Sequence, residues 1–235
     1  MFRRRLVESP TMARKLIEVE TVVGTDLLER QLSPMGRLAL RSANWDLLRA
    51  EEDSRLWRDA GMISLGFFRI LELEFNERLV LPTMRVFDLD AFEKQFRDMK
   101  VGELQGSMKK AVDFWEKMIG PLGRAKHGAK GLELGTIEKL LQKVAQVGGV
   151  DSELKARLHS GLSVHLSTIG IDALKSGQLA RLVDESARER FRNPPAHSRY
   201  VDLATARDCK RYVDAALNQL IGYTSDEASR NSTIH

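Results

Sequence analysis

Cysteine is almost missing from this chain of 235 residues: Cys209 stands alone. No intrachain disulfide framework is open to it, and such usage fits a reducing compartment. Long apolar runs are missing too. The most hydrophobic stretch, residues 61–68, is far shorter than the roughly 20 residues a membrane-spanning helix needs. Arg3, Arg4 and Arg5 make a basic start, but Glu8, Glu18 and Glu20 follow without an apolar segment between them. A secretory signal is therefore not expected; the expected location is the cytoplasm, with no membrane partner.

Several chemistries lack their signatures. Neither G-x-x-x-x-G-K-[ST] nor G-x-G-x-x-G occurs, which argues against a phosphate-cradling nucleotide fold, and the G-x-S-x-G nucleophile elbow is absent as well. His159 and His165 lie six residues apart, so on a helix they face different ways and cannot share a metal as an i, i+4 pair could. No metal and no cofactor is expected. Glu72 and Glu74 are two apart and project to different sides of a helix, so they are not a paired-carboxylate acid/base site. No internal repeat stands out, and no run of alternating β-branched residues suggests a sheet.

What is present is helical periodicity almost throughout. Residues 11–31 carry Leu16, Val19, Val23 and Leu27 at helical spacing and stop at Ser33-Pro34. A second helix is expected over 38–50. The longest spans 53–81, with Phe68, Leu71, Phe75 and Leu79 on one stripe and Pro82 as its end. Further helices are expected over 91–101, 105–118, 134–147, 152–169, 171–191 and 203–221. Cys209 falls on the apolar face of the last with Ala206, Val213, Ala216, Leu217 and Leu220, where it reads as a small buried hydrophobe. Residues 120–131, with four glycines, Pro121, Arg124, Lys126, His127 and Lys130, read as a flexible basic loop that could touch an RNA backbone or be solvated surface. Residues 224–235 read as a disordered tail.

Lys and Arg number 37 against 33 Asp and Glu, a formal charge of +4, with a pI near 9.2. The balance fits an anionic partner without demanding one. The most informative stretch is Arg192-Asn193-Pro194-Pro195-Ala196-His197. Two prolines remove two backbone donors, and Pro195 disfavours the α region at Pro194, so the incoming helix is expected to break there. Asn193 is a good N-cap for a restart. Arg192 and His197 would then lie about one turn apart, close enough to converge on one anion: a permanent clamp for phosphate oxygens beside a group that exchanges protons near neutral pH. The competing reading makes Arg192 a helix C-terminal cap and His197 a surface residue.

These residues resemble the HEPN superfamily of helical domains, whose signature is R-x4-6-H with a polar residue directly after the arginine. The resemblance extends to residues 66–75, similar to the long HEPN helix with Glu72 at its glutamate, and to the Leu134-Gly135 segment with the leucine-rich helix after it. It covers about residues 56–221. It implies an all-α fold, a HEPN-like multi-helix bundle with additional N-terminal helices: an N-terminal helical extension over 1–50, a HEPN-like domain over 51–223, and the tail.

The resemblance also implies an activity, metal-independent RNA cleavage by attack of the 2′-hydroxyl on the adjacent phosphate. His197 would serve as general base or acid, Arg192 as phosphate clamp, Asn193 as an orienting group and Glu72 as support for Arg192. The family typically works as a homodimer, and in-line attack calls for a base, an acid and clamps that one motif cannot supply alone. A two-fold dimer is expected, with Arg188 and Arg199 on the rim of a shared cleft and Arg124, Lys126 and Lys130 available to RNA. Such an enzyme would act as a toxin or defence effector held by an antitoxin or other regulatory partner. Two alternatives stay open: a non-catalytic HEPN-like RNA-binding, dimerisation or regulatory module of a larger system, and a helical scaffold that binds peptides.

Overall fold

The computed structural model describes residues 27–52, 59–100, 106–196 and 200–224. The chain there forms helices α1 (Leu27–Gln31), α2 (Pro34–Glu52), α3 (Gly61–Phe75), α4 (Leu81–Val86), α5 (Leu89–Met99), α6 (Gly106–Lys126) and α7 (Leu134–Ala145). After these come α8 (Ser152–Ser163), α9 (Thr168–Lys175), α10 (Gln178–Arg181), α11 (Glu185–Ala187), α12 (Asn193–Ala196) and α13 (Leu203–Tyr223). Among the described residues there is no strand; one isolated bridge joins Leu166 to Thr224. The all-α class expected from the periodicity is the class observed. No described helix is long and apolar enough to cross a membrane.

Helix α3 runs through the centre because it is apolar on nearly every side: Phe67, Phe68, Ile70, Leu71 and Phe75 are all buried. It packs mainly on α2 and α13. Leu40, Ala43, Leu47 and Ala50 of α2, and Leu28 of α1, belong to the same continuous core. Residues 27–50 are therefore integral to the bundle rather than an extension appended to it; residues 1–26 lie outside the described part. Thr224, assigned to the tail by composition, is buried and ends α13, while 225–235 lie outside the described residues.

Helix boundaries differ from expectation where a side chain or a proline meets tertiary support. The helix expected to stop at Pro82 continues: a π turn, Asn76–Val80, carries α3 into α4. The same arrangement recurs at Arg188–Arg192, ahead of Pro194. In both turns the residue before the proline donates its N–H five residues back, Leu81 to Asn76 O and Asn193 to Arg188 O. The widened turn shifts the carbonyl that a proline ring would otherwise strike, so the helix accommodates the proline instead of breaking. Pro121 likewise lies inside α6, which runs to Lys126 and shortens the expected basic loop to its last residues. The helix expected over 171–191 is divided by Gly177, in the left-handed region at φ 74°, and by Asp184, which caps the Ala187 N–H at 2.8 Å. Ser167 caps α9 and thereby splits the helix expected over 152–169.

Two buried ionic clusters tie the helices together. Glu74 accepts hydrogen bonds from Ser33 N (2.9 Å) and Ser33 Oγ (2.6 Å) and pairs with Arg78 at 2.7 Å. Arg78 also donates to Gln31 O and, at 3.5 Å, to Thr224 Oγ1. At the far side Asp151 accepts from Trp115 Nε1 (2.9 Å) and pairs with Lys143 (2.8 Å) and Lys155 (3.4 Å). Burial pushes the Asp151 carboxyl up, but the hydrogen bonds from Lys143 and Trp115 and the charges of both lysines outweigh it and hold the group below its ordinary range.

Glu74→Ala leaves Arg78 buried without its partner and is expected to destabilise the protein by about 3–5 kcal/mol in urea unfolding. For Asp151 the depressed folded value means its contribution is present above the ordinary carboxylate range and disappears as pH falls through the depressed value. Wild-type thermal stability should thus fall on acidification below about pH 4, with a shallower fall in Asp151→Asn.

Candidate functional site

The aromatic cluster Phe191, Phe68 and Tyr212 fixes the motif region. Their ring centroids lie 5.9–6.3 Å apart, joining the π turn to α3 and α13, and Tyr212 donates its hydroxyl to Leu182 O at 2.8 Å. With Phe191 buried, Arg192 projects next to it into an open groove of about 360 Å³ lined by Met62, Leu65, Arg69, Glu72 and Leu134 among others. Among the described residues no carboxylate comes within ion-pair range of Arg192. The groove thus holds two guanidinium groups, Arg192 and Arg69, against the one carboxylate of Glu72. Arg69 was not singled out from sequence, although it sits one turn before Glu72 on the same helix.

Glu72 serves a different partner from the one expected. Its Oε2 accepts from Leu134 N at 3.3 Å, satisfying an amide at the start of α7, where Glu133 provides no side-chain cap. One residue-turn later Asn76 closes the junction: its side chain donates to Leu132 O (2.8 Å) and accepts from Leu132 N (2.7 Å). Glu72 and Arg192 share the groove, but no ion pair joins them.

The motif backbone does not break as expected. Asn193 is helical (φ −71°, ψ −39°), not an N-cap, and its N–H is engaged with Arg188 O. Pro195 seats on the first turn of α3: a Cβ on Gly61 would lie 2.6 Å from the proline Cβ, so only glycine fits there. Just past the motif, Val201 O accepts from Ala60 N at 2.8 Å, and Asp59 Oδ1 accepts from both Gly61 N (2.9 Å) and Val201 N (3.1 Å). The chain on either side of residues 197–199 is therefore anchored to the same end of α3. His197 and Arg199 themselves lie outside the described residues.

The expected basic contacts divide into committed and free. Arg188 turns inward: it donates to Val183 O at 3.3 Å and pairs with buried Glu138, its guanidinium lying 3.0 Å from where a Cβ on Gly135 would stand. That close approach explains the Leu134-Gly135 pair and removes Arg188 from the rim. Lys126 is also committed, donating to Phe87 O (2.7 Å) and Arg85 O (3.4 Å) at the end of α4. Lys130 pairs with exposed Glu133 at 2.9 Å, and Arg124 is exposed. Glu133 is where these groups meet the motif. The Lys130 hydrogen bond and charge hold its carboxyl below the ordinary range against the opposing effect of burial, with lesser help from the charges of Arg192 and Arg124.

Among the described residues no group of three His, Cys, Asp or Glu side chains could hold a metal ion. Cys209 is buried with its thiol directed at Ser64 O, 3.6 Å away, and burial first of all pushes it up to about 12, so it carries no nucleophile at neutral pH.

The two arginines flanking Phe191 should separate cleanly in urea unfolding. Arg188→Ala leaves Glu138 buried without its cation and is expected to cost about 3 kcal/mol, whereas Arg192→Ala, at a half-exposed side chain with no ion-pair partner among the described residues, should change stability by no more than about 0.5 kcal/mol.

Compared with known proteins, the chain matches no family model, no curated sequence and no solved structure.

Proposed function

We propose that the protein is a metal-independent endoribonuclease of the HEPN type. The observation that carries this reading is the Arg192 groove: a guanidinium without a carboxylate partner among the described residues, held at the end of a π turn, open to solvent, and next to a motif segment anchored on both sides to one end of α3. A free arginine in such a setting suits a phosphate, which it binds through two parallel hydrogen bonds.

In this reading the 2′-oxygen of a nucleotide attacks the adjacent phosphorus as His197 takes its proton. The P–O5′ bond breaks, the leaving oxygen takes a proton from an acid, and the products are a 2′,3′-cyclic phosphate and a 5′-hydroxyl. Arg192 neutralises the charge that gathers on the non-bridging oxygens. Asn193 and Glu72 act indirectly: Asn193 holds the π turn by its N–H, and Glu72 fixes the Leu134 wall of the groove. Arg69, Arg124 and Lys130 extend the positive surface along the RNA strand. A second histidine is needed as acid while the first is base, which a homodimer with facing motifs supplies. Uncontrolled cleavage would harm the host, so a toxin or defence effector with an inhibitory partner is the fitting role.

Purified protein incubated with total RNA in EDTA should produce fragments with cyclic phosphate ends. His197→Ala and Arg192→Ala should each lower the rate by at least about 10²-fold without unfolding the protein. RNA left intact by wild type between about pH 6 and 8 rejects the nuclease; binding without cleavage would instead establish the non-catalytic RNA-binding module, which the use of Glu72 as a helix cap already accommodates.

A further inference from the structure

At the opposite end of α7 from the Arg192 groove lies a second concavity of about 340 Å³. Its walls are Val144 and Ala145 of α7, the turn at Gly148, Lys155 and His159 of α8, and Lys175 at the end of α9. The 12 residues of α7 separate the two sites by about 18 Å at 1.5 Å per residue. They share no side chain.

Charge is out of balance in this corner. The carboxylate of Asp151 is shared by two lysines, Lys143 and Lys155, which leaves one positive charge uncompensated. Lys155 reaches across to Gly148 O as well, fixing its ammonium at the edge of the concavity. Lys175 adds a second charge: it is exposed and, among the described residues, has no ion-pair partner. No carboxylate lines the concavity among the described residues. His159 stands between them. The Ser163 hydroxyl donates to His159 O at 2.7 Å and lies 3.3 Å from Nδ1, so Nδ1 donates in that contact and Nε2 is the nitrogen that takes up a second proton. Burial and then the Lys175 charge depress the imidazole; an anion seated here would offset the second of these.

We propose that this corner binds the phosphoryl group of a small phosphomonoester, with Lys155, Lys175 and protonated His159 as its clamp. Before the ligand arrives the corner holds a surplus of two positive charges, the Lys143–Lys155 surplus and Lys175, and the proton His159 takes up on binding adds a third; a phosphomonoester dianion answers such a surplus better than a diester in a polymer, which carries one charge per phosphate. The volume falls at the small end of the range for small-molecule sites, and the apolar surface of Val144, Ala145 and Ala156 meets the organic part of the ligand. Nothing in this proposal depends on RNA cleavage at Arg192.

The test is titration of the full chain with inorganic phosphate and with adenosine monophosphate, at constant ionic strength against chloride. The imidazole proton resonance of His159, assigned through His159→Asn, is followed by NMR, and affinity by calorimetry. The His159 resonance should shift saturably, with the nucleotide binding more tightly than phosphate. Lys175→Gln, at an exposed position, should raise Kd by about tenfold, and Arg192→Ala should leave the His159 titration unchanged. An unmoved His159 resonance, or equal affinity in Lys175→Gln, overturns the site. Equal affinity for phosphate and nucleotide overturns the organic ligand. A short single-stranded RNA that shifts His159 at lower concentration than the nucleotide overturns the small-molecule assignment in favour of a nucleic-acid track.

Discussion

The buried pair of Glu74 and Arg78 holds together three parts of the chain that are far apart in sequence. Glu74 receives the Ser33 amide and hydroxyl from the turn between α1 and α2; Arg78 reaches Gln31 in that same turn and Thr224 at the end of α13. Burying two charges is expensive, and the cost is offset only because the carboxylate and the guanidinium nitrogens find partners at once. An aliphatic pair of the same volume would pack, but it would not dictate which turn meets which helix end. The register of α3 against α2 and α13 follows from this contact, and with it the position of every group that α3 presents along the Arg192 groove.

The two π turns convert that register into a surface. A proline inside a regular helix would collide with the carbonyl four residues back, and at both places the chain avoids this by widening one turn. At Asn76–Val80 the extra residue lets Asn76 pair with the Leu132 backbone while Glu72 reaches Leu134, so the loop before α7 is clamped to α3. At Arg188–Arg192 it separates neighbours by role. Arg188 goes inward to Glu138, Phe191 packs against the stacked pair of Phe68 and Tyr212, and Arg192 is left facing outward. An unmatched guanidinium is costly to keep near a protein surface only if it is desolvated; half-exposed, it remains available to an anion.

Several of the basic side chains do not remain available, and this matters more than the net charge of +4. Arg188 and Lys126 act as struts, and Lys143 and Lys155 hold Asp151. Positive charge stays uncompensated at both ends of one helix: Arg192 with Arg69 near Leu134, and Lys175 with the Lys143–Lys155 surplus beyond Ala145. An anion at either end meets fixed donors rather than a diffuse basic face.

The amino-acid sequence by itself determined the helical class, because apolar residues recur at helical spacing along most of the chain and none alternate. It also determined the apolar faces of α3 and α13 and the burial of Cys209. Only the tertiary structure decided what each polar group does. A lysine in a glycine-rich segment looks the same whether it faces solvent, as Lys130 does, or caps the end of a helix, as Lys126 does. Arg188 and Arg192 are alike in sequence and differ because a buried Glu138, fifty residues away, lies within reach of one of them. The prolines follow the same rule: local sterics favour a break at Pro82 and Pro194, but in the folded chain one turn widens ahead of each and the helix continues. Local spacing encodes which face is apolar; the satisfaction of individual charges and carbonyls depends on partners that only the folded chain brings within hydrogen-bonding distance.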